Sequence, residues 1–539
     1  MQTYLFFEKM IGKYFLFMIE KIPQQVSDIL TAIQEAGSKS YIVGGCVRDL
    51  ILGRVPKDWD ITTGAKPKDV QKLFSDSFYE NEFGTVGVKV KPFLPNGKAD
   101  REHDVIEITT FRIESKYSDK RRPDQVKFAK TLAEDLARRD FTINAIALEI
   151  RNPHFAKESA RRAKSPLRQG LNEASEIRNK SKIQNATGYE IIDPYEGEKD
   201  IRTKIIRTVG DPQQRFDEDA LRMMRAVRFY AELGFSIEEK TLDAIRKYSK
   251  NLESIAQERI KDEFSKIILS KHPSEGIDML QQTRLLPYII PELEKGIGMK
   301  QNRHHIYTIY QHSILSLKFC PSEKLETRLA ALFHDIAKPQ TKRGYGLYAT
   351  FYNHDQVGAR VVEKILRRLT FSNEIVQKVK LLVNNHMFYY NPDEVKESSV
   401  RRLIQKVGFQ NIGDLLDLRI SDRLGSGVPK AKPYKLRHLE YVIDKVSQDA
   451  VSVKMLKING NDLMVKLKLE PGPKIGAILD VLLAEVIEDA GKNNPEKLLM
   501  LAEELKEEDL KKLRQLAKEK IEERKEEDDQ EIKKKHWVK

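Results

Sequence analysis

The stretch from Tyr41 to Ile61, YIVGGCVRDLILGRVPKDWDI, constrains the fold more than any other part of the 539-residue chain. A β-type run, Tyr41 to Val43, ends in Gly44-Gly45. A short helical turn carrying Arg48 and Asp49 follows, and an extended segment then brings Asp58-x-Asp60. Alternate residues on a strand point the same way, so Asp58 and Asp60 present two carboxylates to one spot. Like charges held that close need a cation, and an oxygen-only ligand set suits Mg²⁺. Paired glycines let backbone N–H groups approach a phosphate. A lone D-x-D or G-G is commonly a solvated turn, but the ordered combination reads as the parts of a metal-assisted nucleotidyl-transfer site.

The segment resembles the nucleotide-binding motif of class II tRNA nucleotidyltransferases, the CCA-adding enzymes, and of the related bacterial poly(A) polymerases, all within the polymerase-beta nucleotidyltransferase superfamily. FGTVGVKV (Phe83 to Val90), EITTFR (Glu107 to Arg112), RRDFTINAIAL (Arg138 to Leu148) and EDALRMMRAVRF (Glu218 to Phe229) extend the likeness over most of residues 19 to 270.

A net charge of +13 favours a polyanionic partner, because Lys and Arg gain affinity by displacing counterions from phosphates. The two cysteines, Cys46 and Cys320, cannot build a disulfide framework or a zinc ribbon, which fits a reducing cytoplasm. No stretch reaches the ~18 apolar residues of a membrane span. The start is aromatic but interrupted by Glu8, Lys9 and Lys13, and lacks a small-residue cleavage site, so it does not read as a signal peptide. Residues 1 to 17 read as a mis-assigned start or a dispensable extension before Met18.

Helical periodicity over 24–36 leads into the Gly-Gly strand. Strands are expected at 85–91, 104–111 and 143–150, with a helix at 67–75. The polar, Arg- and Lys-rich run between Asn152 and Thr187 reads as an insertion, either a solvated loop or an RNA-gripping arm. From Asp211 the pattern is helical. DEDALRMMRAVRFYAELG is expected as one helix ending at Gly234, followed by helices through 241–270 and 276–286. Pro429 to Pro433 marks a linker. Glu503 to Lys535 reads as a charged helix of mixed sign.

The reaction implied is attack of a 3′-hydroxyl on the α-phosphorus of a nucleoside triphosphate, assisted by two Mg²⁺ ions held by Asp58 and Asp60. Superfamily members add a third carboxylate, for which Glu107 is the candidate; its plain alternative is a strand-edge salt bridge. By resemblance, Gly44, Gly45 and Arg48 belong to the nucleotide site, one of Arg138 and Arg139 contacts the triphosphate, and Asp140 contacts the ribose. Asp219 and Arg222 stand three apart on a helix and share a face, with Arg225 and Arg228 continuing a basic stripe. Cytosine and adenine each offer an amine donor beside a ring-nitrogen acceptor, complementary to an Asp acceptor beside an Arg donor. Uracil and guanine offer the reverse and leave both protein groups unpaired. The resemblance also makes Arg112 to Phe128 the flexible loop needed to switch from C to A, with its KRRPD core (Lys120 to Asp124) intact.

A second constellation is carried by His312, His334-Asp335, His354, His386 and Asp422 in a chain with only 11 histidines. The tandem His-Asp resembles the HD phosphohydrolase superfamily, whose histidines and aspartates bind one or two divalent metals (Mn, Ni, Co, Fe or Mg); a metal-free scaffold is the alternative. The adjacent His304 and His305 are not expected as ligands.

The fold expected is α+β: a small mixed α/β nucleotidyltransferase head followed by a mostly α-helical neck/body, an α-helical HD domain and a helical tail. The segments are 1–17 extension, 18–210 head, 211–300 neck and body, 301–428 HD domain, 429–505 tail module and 506–539 charged helix. The function expected is CCA addition to tRNA from CTP and ATP, with no membrane partner. Rivals are a poly(A) polymerase, a CC-only enzyme, and an HD-type phosphohydrolase with an RNA-binding head. Poly(A) polymerases carry an arginine-rich GRRF-type sequence where this chain has NEFGTVGV (Asn81 to Val88), which favours CCA addition.

Overall fold

The computed structural model describes residues 22–81, 84–93, 103–115, 125–150, 189–302, 306–392, 394–448, 456–488 and 490–538. The extension 1–17, the insertion 152–187, the Lys120–Asp124 core, and His304 and His305 lie outside the described residues. The chain divides into two compact units, residues 1–297 with 364–376, and residues 298–363 with 377–539.

The first nine strands of the first unit are β1 (Ser40–Val43), β2 (Asp60–Thr63), β3 (Ser77–Asn81), β4 (Thr85–Val90), β5 (Asp104–Thr110), β6 (Arg112–Ser115), β7 (Gln125–Phe128), β8 (Ala147–Ile150) and β9 (Tyr189–Ile192). Seven form one sheet in the order β3-β4-β5-β2-β1-β8-β9, while β6 and β7 form a separate ribbon. Within the large sheet only β2 and β5 run parallel. All four residues of β1 are buried, as expected of an apolar strand covered on both faces. Helices α1 (Gln24–Glu35), α2 (Gly45–Ile51), α3 (Pro67–Leu73) and α4 (Leu132–Ala137) accompany the sheet.

Two expectations need correction. The strand anticipated over 143–150 begins only at Ala147, because Thr142–Asn144 form a 3₁₀ turn. The Thr142 hydroxyl donates to the buried Asp200 carboxylate at 2.6 Å, fixing that turn. The single helix expected through Asp219 is two helices, α6 (Pro212–Glu218) and α7 (Leu221–Leu233); α5 (Gly197–Thr203) precedes them. Asp219 sits between at φ −146°, ψ 105°, outside helical space. Its carboxylate accepts the Leu221 N–H at 3.0 Å, and such a short side chain competes with helix continuation by capping instead. Gly234 ends α7 at φ +71°, the left-handed conformation that favours glycine. Helices α8 (Glu239–Tyr248), α9 (Gln257–Ile268) and α10 (Pro273–Gln282) follow. At Gly276 a Cβ would lie 2.7 Å from Ile267 Cγ2 and 2.9 Å from Ala231 Cβ, so α10 meets α7 and α9 only because the side chain is missing.

The second unit is helical: α11 (Ile309–Lys318), α12 (Leu325–Phe333), α13 (from His354), α14 (to Asn385), α15 (Glu397–Val407), α16 (Phe409–Gly425), α17 (Tyr434–Gln448), α18 (Gly460–Leu467), α19 (Pro473–Glu488), α20 (Pro495–Leu505) and α21 (Leu510–His536). Leu463, Ile478, Leu482, Leu498 and Leu513 build a separate core there. The charged helix expected from Glu503 is interrupted: α20 ends at Leu505, and Asp509 caps α21 by accepting the Lys511 N–H at 3.2 Å. Cys46 and Cys320 are free thiols, both buried. Among the described residues no helix is long and apolar enough to cross a membrane.

Candidate active site and a second ligand cluster

Strand β2 starts at Asp60, so Asp58 belongs to the bend before it. Between them Trp59 is buried at 2% exposure, while Asp58 is exposed and Asp60 half-buried. Alternation therefore carries both carboxylates away from the core side. Glu107 lies inside β5, directly in register with Asp60 on β2, and its other neighbour is Gly87 of β4. Residues paired this way project to the same face. The three side chains offer only carboxylate oxygens, a donor set suited to a hard divalent cation.

Gly44 has φ +85°, and a Cβ there would stand 3.0 Å from Arg139 Nη1 and 3.8 Å from Asp60 Oδ2. The missing side chain thus leaves room for the Arg139 guanidinium, with the Asp60 carboxylate also close to the Gly44 backbone. Its own N–H donates to Ile146 O at 3.1 Å, so it is not presented to a phosphate as the sequence reading implied; Gly45 begins α2. Arg48, placed in the nucleotide site by resemblance, has partners within the fold. It is buried, donates from Nη1 to Asn144 Oδ1 at 2.8 Å and from Nε to Asp49 at 3.0 Å, and lies 5.4 Å from the Phe229 ring centre.

A cavity of about 330 Å³ is lined from the head by Arg112, Arg138, Arg139 and Asp140, and from the neck by Asp219, Leu221, Arg222, Arg225 and Arg259. Arginines outnumber carboxylates there, and low-dielectric walls focus such a field on a polyphosphate. Arg138 and Arg139 are both held by Asp135, a fully buried carboxylate 2.9 Å from Arg138 Nη2 and 3.4 Å from Arg139 Nη2. Burial alone would push the Asp135 carboxyl up, but the two guanidiniums hold it below the usual carboxylate range. The i, i+3 and i, i+4 spacing in EDLARRD was the available signal for this residue, which the sequence reading missed.

Asp140, assigned to the ribose by resemblance, lines the cavity and is held by the fold. Its Oδ2 lies 2.6 Å from both Nε and Nη2 of Arg225, and Oδ1 accepts the Phe141 N–H at 2.9 Å. Burial raises this carboxyl, and the Arg225 and Arg222 charges outweigh it, leaving it below its ordinary value. Arg228 does not line the cavity. It pairs with buried Glu263 at 3.0 Å and stacks 4.4 Å over Phe229. Asp219 and Arg222 both line the cavity, but not as a helical ion pair. Asp219 binds Arg259, at 2.6 and 3.2 Å, and Arg222 contacts Glu218. Arg259 and Glu263 lie in no motif read from the sequence, and Glu218 lies in EDALRMMRAVRF without a role assigned to it.

In the second unit the structure brings all six anticipated ligands together. His312, His334 and Asp422 form one group and Asp335, His354 and His386 another, with ligand atoms in each group within 4.8 Å of one another. The Nδ1 atoms of His334, His354 and His386 lie 2.9, 2.7 and 2.6 Å from the carbonyls of Ala331, Phe351 and Val383. Each Nδ1 therefore carries the proton, leaving Nε2 a bare lone pair. Yet Nε2 of His354 stands 3.2 Å from Nε2 of His386, and Nε2 of His334 stands 3.0 Å from that of His312. Nitrogens gathered at that spacing beside the Asp335 and Asp422 carboxylates match a metal's ligand shell, because donors about 2.1 Å from one ion stand about 3.0–3.4 Å apart. The donor set thus fits a divalent metal. Burial pushes His386 down to about 3, with His334 adding to the effect. Burial also opposes charge on His312, but hydrogen bonds to Asp335 and Asp422 lift it to about 9. Lys338 Nζ lies 2.6 Å from Asp335 Oδ2.

Comparison with known proteins gives a consistent result. Residues 40–157 match the model of the "Poly A polymerase head domain", residues 234–297 that of the "Probable RNA and SrmB- binding site of polymerase A", and residues 347–502 the "tRNA nucleotidyltransferase domain 2 putative". The chain is 32% identical over 496 residues to a CCA-adding enzyme of Ligilactobacillus salivarius, covering 91% of this chain and 99% of that one. A CCA-adding enzyme of Lactococcus lactis subsp. cremoris is 31% identical, with 90% and 97% covered. Among solved structures, the Bacillus stearothermophilus CCA-adding enzyme in complex with CTP is similar with a TM-score of 0.54 and 25% identity, covering 89% of this chain and 97% of that one.

Proposed function

The chain belongs to the CCA-adding enzyme family, and on that premise we propose that it rebuilds the 3′ end of tRNA by adding C, C and A from CTP and ATP. It is a nucleotidyltransferase, and enzymes of this family use divalent metals. One observation carries the site assignment: Asp60 and Glu107 stand in register on parallel strands, with Arg139 joining them to the arginine-lined cavity that contains Asp219.

In this reading Asp58, Asp60 and Glu107 hold Mg²⁺. Bound divalent ions supply charge neutralisation and a more acidic 3′-hydroxyl. Arg138 and Arg139, oriented by Asp135, neutralise the triphosphate, and Arg112 adds to the same wall. Asp219 accepts from the exocyclic amine of cytosine or adenine, and Arg222 donates to the ring nitrogen beside it. The segments 18–210, 211–300, 301–428, 429–505 and 506–539 serve as head, neck and body, ligand-cluster region, tail and terminal helix. A cytoplasmic setting is supported by the two buried reduced thiols.

The test is product sequencing after incubation with tRNA lacking its terminal CCA, in CTP alone, ATP alone and both. The expected products are CC, nothing, and CCA. Long tails from ATP alone would reject the reading in favour of poly(A) synthesis, and arrest at CC with both nucleotides would make this a CC-only enzyme.

The converging Nε2 pairs favour a second activity, metal-dependent phosphohydrolysis at the His312–Asp422 cluster, with Mn, Ni, Co, Fe or Mg as the ion. A metal there would supply an activated water. Lys338 stands beside Asp335 as a cation able to meet a phosphate. His334→Ala should abolish hydrolysis and leave CCA addition intact, whereas Asp58→Ala should do the reverse.

A further inference from the structure

Asp219 reads bases only if its carboxylate keeps one orientation and never acts as a donor. An ionised carboxylate has two oxygens and about four lone-pair positions. Here Oδ1 accepts from the Leu221 N–H at 3.0 Å and from Arg259 Nη1 at 3.2 Å, while Oδ2 accepts from Arg259 Nη2 at 2.6 Å. Three positions are filled. The fourth, on Oδ2, is uncommitted among the described residues. The carboxylate lines the cavity and is 13% exposed.

We propose that Arg259, on α9 and 40 residues from Asp219, is a positioning residue for nucleotide selection. Its planar fork reduces the Asp219 carboxylate to a single acceptor aimed at the base. The proposal rests on the CCA-adding reading and deepens it. Two parallel N–H···O bonds fix the carboxylate plane in a way that a point charge cannot. They also set an N–H against each oxygen, which leaves the remaining lone pair on Oδ2 with one direction. An amine hydrogen from cytosine or adenine satisfies the remaining position; the carbonyl oxygen of uracil or guanine meets only lone pairs. A carboxylate free to rotate could turn its lone pairs away from that oxygen and so tolerate the wrong base. The second reader is pinned in the same manner: Arg222 Nη1 donates to Glu218 and to Arg215 O. Each base-reading side chain thus has a fixing partner outside the base contact, and for Asp219 it comes from another helix.

The experiment compares kcat/KM for CTP against UTP on tRNA lacking CCA, and for ATP against GTP on tRNA ending in CC. Wild type, Arg259→Ala and Arg259→Lys are measured, with thermal unfolding as a folding check. In Arg259→Ala the preference for the correct base should fall about ten- to a hundredfold. Arg259→Lys, which keeps the charge and loses the fork, should fall between that and wild type. A merely structural role would lower kcat/KM for all four nucleotides together, so an unchanged ratio in Arg259→Ala overturns the proposal. Should the alanine variant not fold, an unchanged ratio in Arg259→Lys overturns it equally. If wild type itself fails to add C from CTP, the underlying reading falls, and the proposal with it; that failure is seen before any substitution is made.

Discussion

Arg225 closes on the Asp140 carboxylate with Nε and Nη2 both 2.6 Å from Oδ2, joining α7 to the segment that follows the head's α4 across 85 residues of sequence. Arg225 also reaches Glu263 of α9 at 4.0 Å, so one side chain links the helix bearing Arg222, the segment following Arg138 and Arg139, and α9. The geometry of the cavity depends on it.

Asp140→Ala should therefore cost about 3 kcal/mol, because it strands a guanidinium that has few other partners. Urea unfolding of the variant should show a lower midpoint with the slope retained. A loss below about 0.5 kcal/mol would mean that Arg225 finds solvent without penalty.

The same carboxyl gives a pH signature. Its folded value is depressed, by Arg225 and Arg222 against the opposing effect of burial. The unfolded chain then binds the proton more readily, so the stabilisation is complete above the ordinary carboxylate value of about 4 and disappears as pH falls through the folded value. The stability gap between wild type and Asp140→Asn should hold steady down to about pH 5 and narrow as pH falls below about 4. A gap that widens on acidification contradicts the assignment.

Asp60→Asn removes half of the ion-binding pair without changing side-chain shape. Nucleotide addition should drop about a thousandfold, with the thermal midpoint unchanged or raised. Glu107→Gln should lose less if it serves only one ion. Retention of full activity in Asp60→Asn would remove the catalytic face from the β2–β5 pair.

The histidine–aspartate cluster should bind metal with a thermal consequence. Dialysis against a chelator should lower the midpoint of the second unit's transition, and Mn²⁺, Co²⁺ or Ni²⁺ at a hundred times Kd should restore about 2.7 kcal/mol. His354→Ala, acting on one triad, should reduce metal content measured by mass spectrometry without abolishing it. No bound metal in the wild type after loading would leave the converging lone pairs unexplained.

How much of this was legible depended on the reach of each interaction. Strand alternation, which is local, puts Asp58 and Asp60 on one face, while Glu107 enters only through the resemblance and its register opposite Asp60 only through the fold. The six ligands of the second cluster were readable because His and Asp residues at element ends are conspicuous. Their division into two triads was not, since it depends on how five separated segments converge. The helix through Asp219 was misjudged because periodicity continues across it; only the competition between its carboxylate and the Leu221 N–H reveals the break. Arg259 was invisible: it lies in QERIKDEF, an ordinary amphipathic run, and acquires meaning only where α9 meets the α6–α7 joint. Motif resemblance places Arg48 at the nucleotide and helical spacing adds Arg228 to a basic stripe, but neither shows that Asn144, Asp49 and Glu263 partner them within the fold.

The pairing of Asp60 with Glu107 makes the chain's tolerance of insertions and deletions uneven. Adding one codon between Asp104 and Glu107 would shift the phase of β5 and send the glutamate through to the far side of the sheet, whereas adding two would restore its orientation. Drift in this gene should therefore show odd-length indels purged from that short interval, even where neighbouring loops vary freely in length.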